Sequence, residues 1–212
     1  MQIFIVVEYV ARMRNKRTCD YIAEAIQNEI LSGRMEAGQP LRQEELAETL
    51  GYSRIPIREA LQILEERGLV RRLATRHVVV ADFSDKVVEE IFEMICEVEK
   101  KALRDLAQAK ISWNFSGEQE GAEEAFHEFV YERIQNEFFR RMLVTAAECF
   151  VRFAVNETEA GTGIEQTALR IQKIMEVYQS YQVMDYDRMN NALDQYYGWL
   201  IGNVKEERRM AE

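Results

Sequence analysis

The sequence predicts a mainly α protein in two parts: three short helices closed by a β-hairpin, then a bundle made only of helices. Three observations carry this. Apolar residues recur at helical spacing over most of the 212 residues, and β-prone runs are confined to one short stretch after Gly68. Both prolines, Pro40 and Pro56, fall in the first third, so nothing forbids long helices beyond residue 83.

The first helix is expected from Asp20 to Ser32, because Ile22, Ile26 and Ile30 repeat every turn and Gly33 offers a left-handed stop. A turn through Gly38 and Pro40 leads to a short helix that buries Leu46, Ala47 and Leu50 and ends at Gly51. Ser53 stands where an N-cap belongs, and Pro56 falls in the first turn, where a missing amide hydrogen costs little. The third helix therefore starts at Arg54, packs through Ile57, Leu61 and Leu64, and closes at Gly68. LVRRL and HVVVA then flank Ala74, Thr75 and Arg76 as the two strands of a wing. Three helices and a hairpin make a winged helix-turn-helix, expected over residues 1–82 with a short N-terminal extension. From Ser84 onward only helical patterns remain, at 84–110, 118–136, 137–156, 164–183 and 186–205, with breaks at Gly117 and at Gly161, Thr162 and Gly163. These make an all-helical second domain over residues 83–212.

The formal charge of −10 argues against broad affinity for phosphate, which needs a basic field over much of the surface. The imbalance is uneven. Met1 to Val80 carries 12 Lys and Arg against 11 Asp and Glu, and Ala81 to Glu212 carries 15 against 26, so only the N-terminal part is suited to face phosphates. Cys19, Cys96 and Cys149 lie far apart with no C-x-x-C pair, as fits reduced thiols in a cytoplasmic protein. The opening IFIVVEYV is too short to span a bilayer and lacks a basic start and a cleavage site, so neither a targeting signal nor a membrane partner is expected. RMRNKR after it is either a solvated tail or an arm that touches phosphates.

A helix that reads DNA lays its first turns in the major groove, so those residues are polar or basic while later ones pack on the domain. SRIPIREALQILEERGLV has this shape. Arg54 and Arg58 share one face, each able to offer two donors to guanine or to bind phosphate, and Ser53 can donate to a phosphate. Taken alone, the stretch reads better as a solvated amphipathic helix. The whole run GRMEAGQPLRQEELAETLGYSRIPIREALQILEERGLV resembles the DNA-binding domain of the GntR family of bacterial regulators, over about residues 21–80. The resemblance implies that Ser53, Arg54 and Arg58 contact DNA, with Ile55 and Pro56 against the groove. The wing departs from the family pattern. Members usually place a glycine at its tip, and His77, after Arg76, is read as the equivalent position, with Arg76 and His77 as wing contacts to DNA.

The helical domain is similar to the FCD fold of FadR-type members, in its shorter, VanR-like branch. EEAFHEFVYERIQN resembles the stretch that lines the effector cavity, which implies Glu123, His127 and Asn136 as pocket residues. Many members hold a divalent metal with an acid and three histidines. This chain has two histidines in all, and where further ligands would fall it has Ile171, Lys173, Gln179 and Tyr196, so no metal or other cofactor is expected. For His127 a hydrogen-bonded core histidine competes with effector contact. Arg152, on an otherwise apolar helix, is a candidate for an effector carboxylate or a partner for Glu148 one turn earlier, and tyrosines toward the C-terminus, Tyr196 among them, serve either a polar pocket or packing.

The reading these features support is a sequence-specific transcriptional regulator, expected to be a repressor. It binds a palindromic double-stranded operator as a homodimer and answers to a small-molecule effector, a carboxylate being one candidate. The competing readings are a fold that has lost operator binding and acts as a ligand-binding or interaction protein, and an enzyme using Glu123 and His127. No nucleophile motif, phosphate loop or complete metal set supports the enzyme.

Overall fold

The computed structural model describes residues 17–115 and 122–211, with the backbone alone at 122, 124, 156–167 and 211. The apolar opening, the basic run as far as Lys16, and Gly117 lie outside the described residues. The chain forms two compact units, Met1–Phe83 and Ser84–Glu212.

In the first unit, α1 spans Thr18–Leu31, α2 Gln43–Leu50 and α3 Arg54–Glu66, followed by β1 at Val70–Arg72 and β2 at Val78–Val80. α1 opens on Arg17, whose backbone N–H donates to Asp20 Oδ2 at 2.9 Å. Its Ile22, Ile26 and Ile30 are buried and α1 packs on α3, whose Ile57, Ala60, Leu61 and Leu64 form the opposing stripe. Each such aliphatic side chain contributes roughly 1.5–3 kcal/mol by leaving water. Gly51, at φ 71°, turns the chain from α2 into α3. α2 itself buries no residue fully: Leu46, Ala47 and Leu50 are only half-buried, because a helix of 8 residues at the edge of the unit has one neighbour to pack on.

β1 and β2 pair antiparallel, with Val70 opposite Val80 and Arg72 opposite Val78. The segment expected as a plain turn does more than turn the chain. Gly38 N–H donates to Val80 O at 3.0 Å, Val80 N–H to Gln39 O at 3.0 Å and Leu41 N–H to Val78 O at 2.9 Å. Residues 38–41 thus line the free side of β2. Pro40 sits in this ladder without loss, as prolines do at a sheet edge.

In the second unit, α4 spans Asp85–Gln108, α5 Ala122–Tyr131 and α6 Glu137–Ala146, a π-helical turn covers Ala147–Val151, α7 runs Arg152–Gln182 and α8 Tyr186–Ala211. Two expectations need correction. Gly161 and Gly163 do not break the chain: α7 runs through them for 31 residues. Glycine costs a helix roughly 1 kcal/mol each but does not forbid it, and α7 recovers that cost by packing on α8. The expected continuous helix from 137 instead changes pitch at the π-helical turn, where Cys149, Phe150 and Val151 are buried. The core gathers Phe92, Ile95 and Leu103 of α4, Ile174 and Val177 of α7, and Leu193, Tyr196, Tyr197 and Leu200 of α8. Trp113 stacks on Phe129 with centroids 4.7 Å apart. Among the described residues, no helix is long and apolar enough to cross a membrane.

Candidate nucleic-acid interface and buried polar cluster

The start of α3 divides its residues cleanly. Ile57, Ala60 and Leu61 are buried, while Ser53, Arg54, Ile55 and Arg58 are exposed and Pro56 is half-buried. Ser53 holds the N-cap with extended backbone, yet its side chain makes no capping bond. Ile55 is 62% exposed beside Tyr52, an apolar pair that thymine methyl groups in a major groove would cover. Arg54 NH1 donates to Glu44 Oε1 of α2 at 2.7 Å.

In the wing turn, Arg76 N–H donates to Leu73 O and Leu73 N–H to His77 O, both at 2.8 Å. This corrects the sequence expectation, because the left-handed residue is Arg76, at φ 66°, and not His77. A non-glycine residue pays roughly 1–2 kcal/mol for that conformation. His77 is exposed, its Nδ1 3.1 Å from Thr75 Oγ1. Arg76, His77, Arg54, Arg42 and Glu44 all line one open groove of about 550 Å³ between the wing and the starts of α2 and α3. Arg58, one turn further along α3, shares its exposed face.

The helical unit holds the opposite arrangement, charges inside its core. Tyr196 donates its hydroxyl to Glu123 Oε1, and Arg170 Nε lies 3.2 Å from Glu123 Oε2. His127 Nδ1 is 2.8 Å from Glu99 Oε1 and its Nε2 is 3.2 Å from the Tyr196 oxygen, while Tyr131 donates to Glu99 Oε1 at 2.6 Å. All six side chains are buried. Burial, and after it the Glu99 carboxylate, pushes the Tyr131 hydroxyl well above its ordinary pKa; burial and then Glu123 do the same for Tyr196. Both stay protonated and act as donors. His127 thus sits between the Glu99 carboxylate at Nδ1 and the Tyr196 hydroxyl at Nε2.

The structure therefore brings Glu123, His127 and Tyr196 together, and adds Glu99, Tyr131 and Arg170, which the sequence reading missed. Asn136 and Arg152 do not join them. α5 ends at Tyr131, five residues before Asn136, which instead caps α6 by accepting from Phe139 N–H at 3.0 Å. Arg152 is exposed at the start of α7. A divalent metal does not fit the donor set, because Glu123 faces the Arg170 guanidinium and both nitrogens of His127 are engaged. Among the described residues no group of three or more His, Cys, Asp or Glu could hold a metal ion.

The first unit is a winged helix whose third helix exposes arginines, and an all-helical unit follows it in the chain. Residues 18–80 match the family described as bacterial regulatory proteins, gntR family. The chain is 36% identical over 83 residues to an uncharacterized HTH-type transcriptional regulator of Agrobacterium vitis, covering 39% of this chain and 48% of that one. It is 41% identical over 64 residues to the Glc operon transcriptional activator of Escherichia coli, covering 30% and 25%, and 32% identical over 90 residues to the gluconate operon transcriptional repressor of Bacillus licheniformis, covering 42% and 37%. The matched stretches thus span between a quarter and about half of these relatives, all of which are transcription regulators and not enzymes. The fold extends further. It superposes on Lar, which controls expression of the Listeria monocytogenes agr system, with a TM-score of 0.61 at 17% identity over 91% of this chain and 98% of that one. On E. coli McbR/YncC the TM-score is 0.50 at 14% identity, over 91% and 99%.

Proposed function

We propose that this protein is a sequence-specific transcription regulator, a repressor, that binds a palindromic operator as a homodimer and is controlled by a small molecule taken up in its helical unit. The observation that carries the reading is the groove in which Arg54 of α3 and Arg76 of the wing face the same space. Arg76 holds a left-handed backbone that glycine would adopt without strain, and strain of this kind is retained where the side chain has work to do. Ser53, Arg54 and Arg58 hold phosphate and base edges, Ile55 and Pro56 lie against the groove wall, and Arg76 and His77 reach the adjacent minor groove.

For the helical unit we favour an FCD-like, VanR-like sensor that works without metal, in a cytoplasmic protein. Glu123, His127 and Tyr196 are the effector contacts, supported by the expense of burying two carboxylates in an apolar core, which a purely structural bundle has no need of. A carboxylate effector held by Arg152 loses its basis, since Arg152 is exposed.

The test is binding of the full chain to the DNA upstream of its own gene across a salt series, with Arg54→Ala and Arg58→Ala alongside. Tight, sequence-dependent binding that both variants lose is the expected result. Equal binding to random DNA would overturn the operator reading and leave a fold that binds ligand or protein only.

A further inference from the structure

We infer that Glu44, on α2, is a base-reading residue: paired with Arg54, it selects a cytosine beside the guanine that Arg54 contacts. The inference rests on the DNA-binding reading above and adds to it the base that one side chain reads. A carboxylate in a surface that meets a polyanion is a cost unless it is neutralised or has a donor to accept from. Glu44 has the first already, since its Oε1 takes the Arg54 NH1 proton at 2.7 Å while the side chain stays 71% exposed and the Arg54 side chain 63%. Both line the groove that Arg76 and His77 close from the wing side. The neighbouring acid Glu45 is committed elsewhere, to Arg42 at 2.8 Å.

The chemistry narrows the target. Glu44 is acceptor-only, and the major groove offers donors only at cytosine N4 and adenine N6. Adenine sets its N7 acceptor beside that donor, against the second carboxylate oxygen, whereas cytosine presents the amine alone. With NH1 turned toward Glu44, the Nε and NH2 side of Arg54 remains for guanine O6 and N7. The pair is thus fitted to one G·C-containing step in each half-site. Glu44→Gln replaces a carboxylate by an amide whose natural partner is adenine, and Glu44→Ala removes the reader altogether.

The experiment is selection of bound duplexes from a randomised double-stranded DNA library by the full-length protein, wild type beside Glu44→Gln, Glu44→Ala and Arg54→Ala. The wild type is expected to enrich a symmetric site with two adjacent specified positions per half, the guanine read by Arg54 and the cytosine read by Glu44. Glu44→Gln moves the preference at the neighbouring cytosine toward adenine, and Glu44→Ala flattens it, each by about tenfold in relative affinity at that position and with little change at the others. Identical preferences in wild type and both Glu44 variants, or a loss spread evenly over all positions, would overturn the role of Glu44 while leaving operator binding intact. A wild type that enriches no site would overturn operator binding itself, and this inference with it.

Discussion

Two Arg–Glu pairs in this chain make the same contact for opposite ends. Arg54 and Glu44 meet at 2.7 Å in the open, where the pair is worth about 0–1 kcal/mol and can be exchanged for another partner. Arg170 and Glu123 approach to 3.2 Å with side chains 8% and 7% exposed, where losing either partner strands the other charge out of reach of water. The winged helix leaves these charges exposed and exchangeable, as the proposed contact with DNA requires. The helical unit locks its charges into a network that only a ligand of matching polarity, or a repacking of helices, would disturb.

The comparison is most exposed to failure at the buried pair. Arg170→Met is expected to destabilise the protein by about 3–5 kcal/mol in urea unfolding, with Glu123→Gln added to it recovering part of the loss; an unchanged midpoint would show that the cluster is not a fixed network. Arg58→Ala is expected to do the reverse, weakening operator binding by at least about tenfold while moving unfolding stability by less than about 0.5 kcal/mol. A comparable loss of stability would mean that Arg58 belongs to the fold. Arg76→Gly separates the two demands within one residue. It should raise the stability of the protein by up to about 1 kcal/mol, the relief of left-handed strain less the unfolded-state entropy that a glycine adds, and weaken DNA binding. A variant no more stable than the wild type would remove the argument from strain. The smallest effect is expected at the cysteines. All three are buried, and burial pushes the Cys96 thiol up to about 12, so it stays protonated and unreactive through neutral and mildly alkaline pH. Native protein treated with a thiol reagent at pH 8 should label slowly, and fully once unfolded; rapid native labelling of Cys96 would contradict this packing.

The reading helix was legible because its information is local: a cap position, a proline in the first turn, arginines on one face and isoleucine or leucine on the other all lie within SRIPIREALQIL. Glu123 and His127 were legible for the same reason, being one turn apart. Glu99 and Arg170 were not, because each meets its partner from a helix distant in sequence, and periodicity reports a buried face without saying what crosses it. Asn136 was misplaced by a local error, since nothing in ERIQN marks the end of α5 at Tyr131. The left-handed wing residue was misread by one position, because without a glycine the sequence carries no mark of where the turn takes φ 66°.

The edge segment 38–41 bears on how the proposed DNA-binding surface is held. By pinning the lead into α2 onto β2, it removes the hinge on which a two-stranded wing would otherwise swing, so that Arg54 and Arg76 hold their separation before any duplex arrives. Under the proposed function little ordering entropy would be spent on docking, and association would depend on the rate of encounter and on salt more than on a rearrangement of the reading surface.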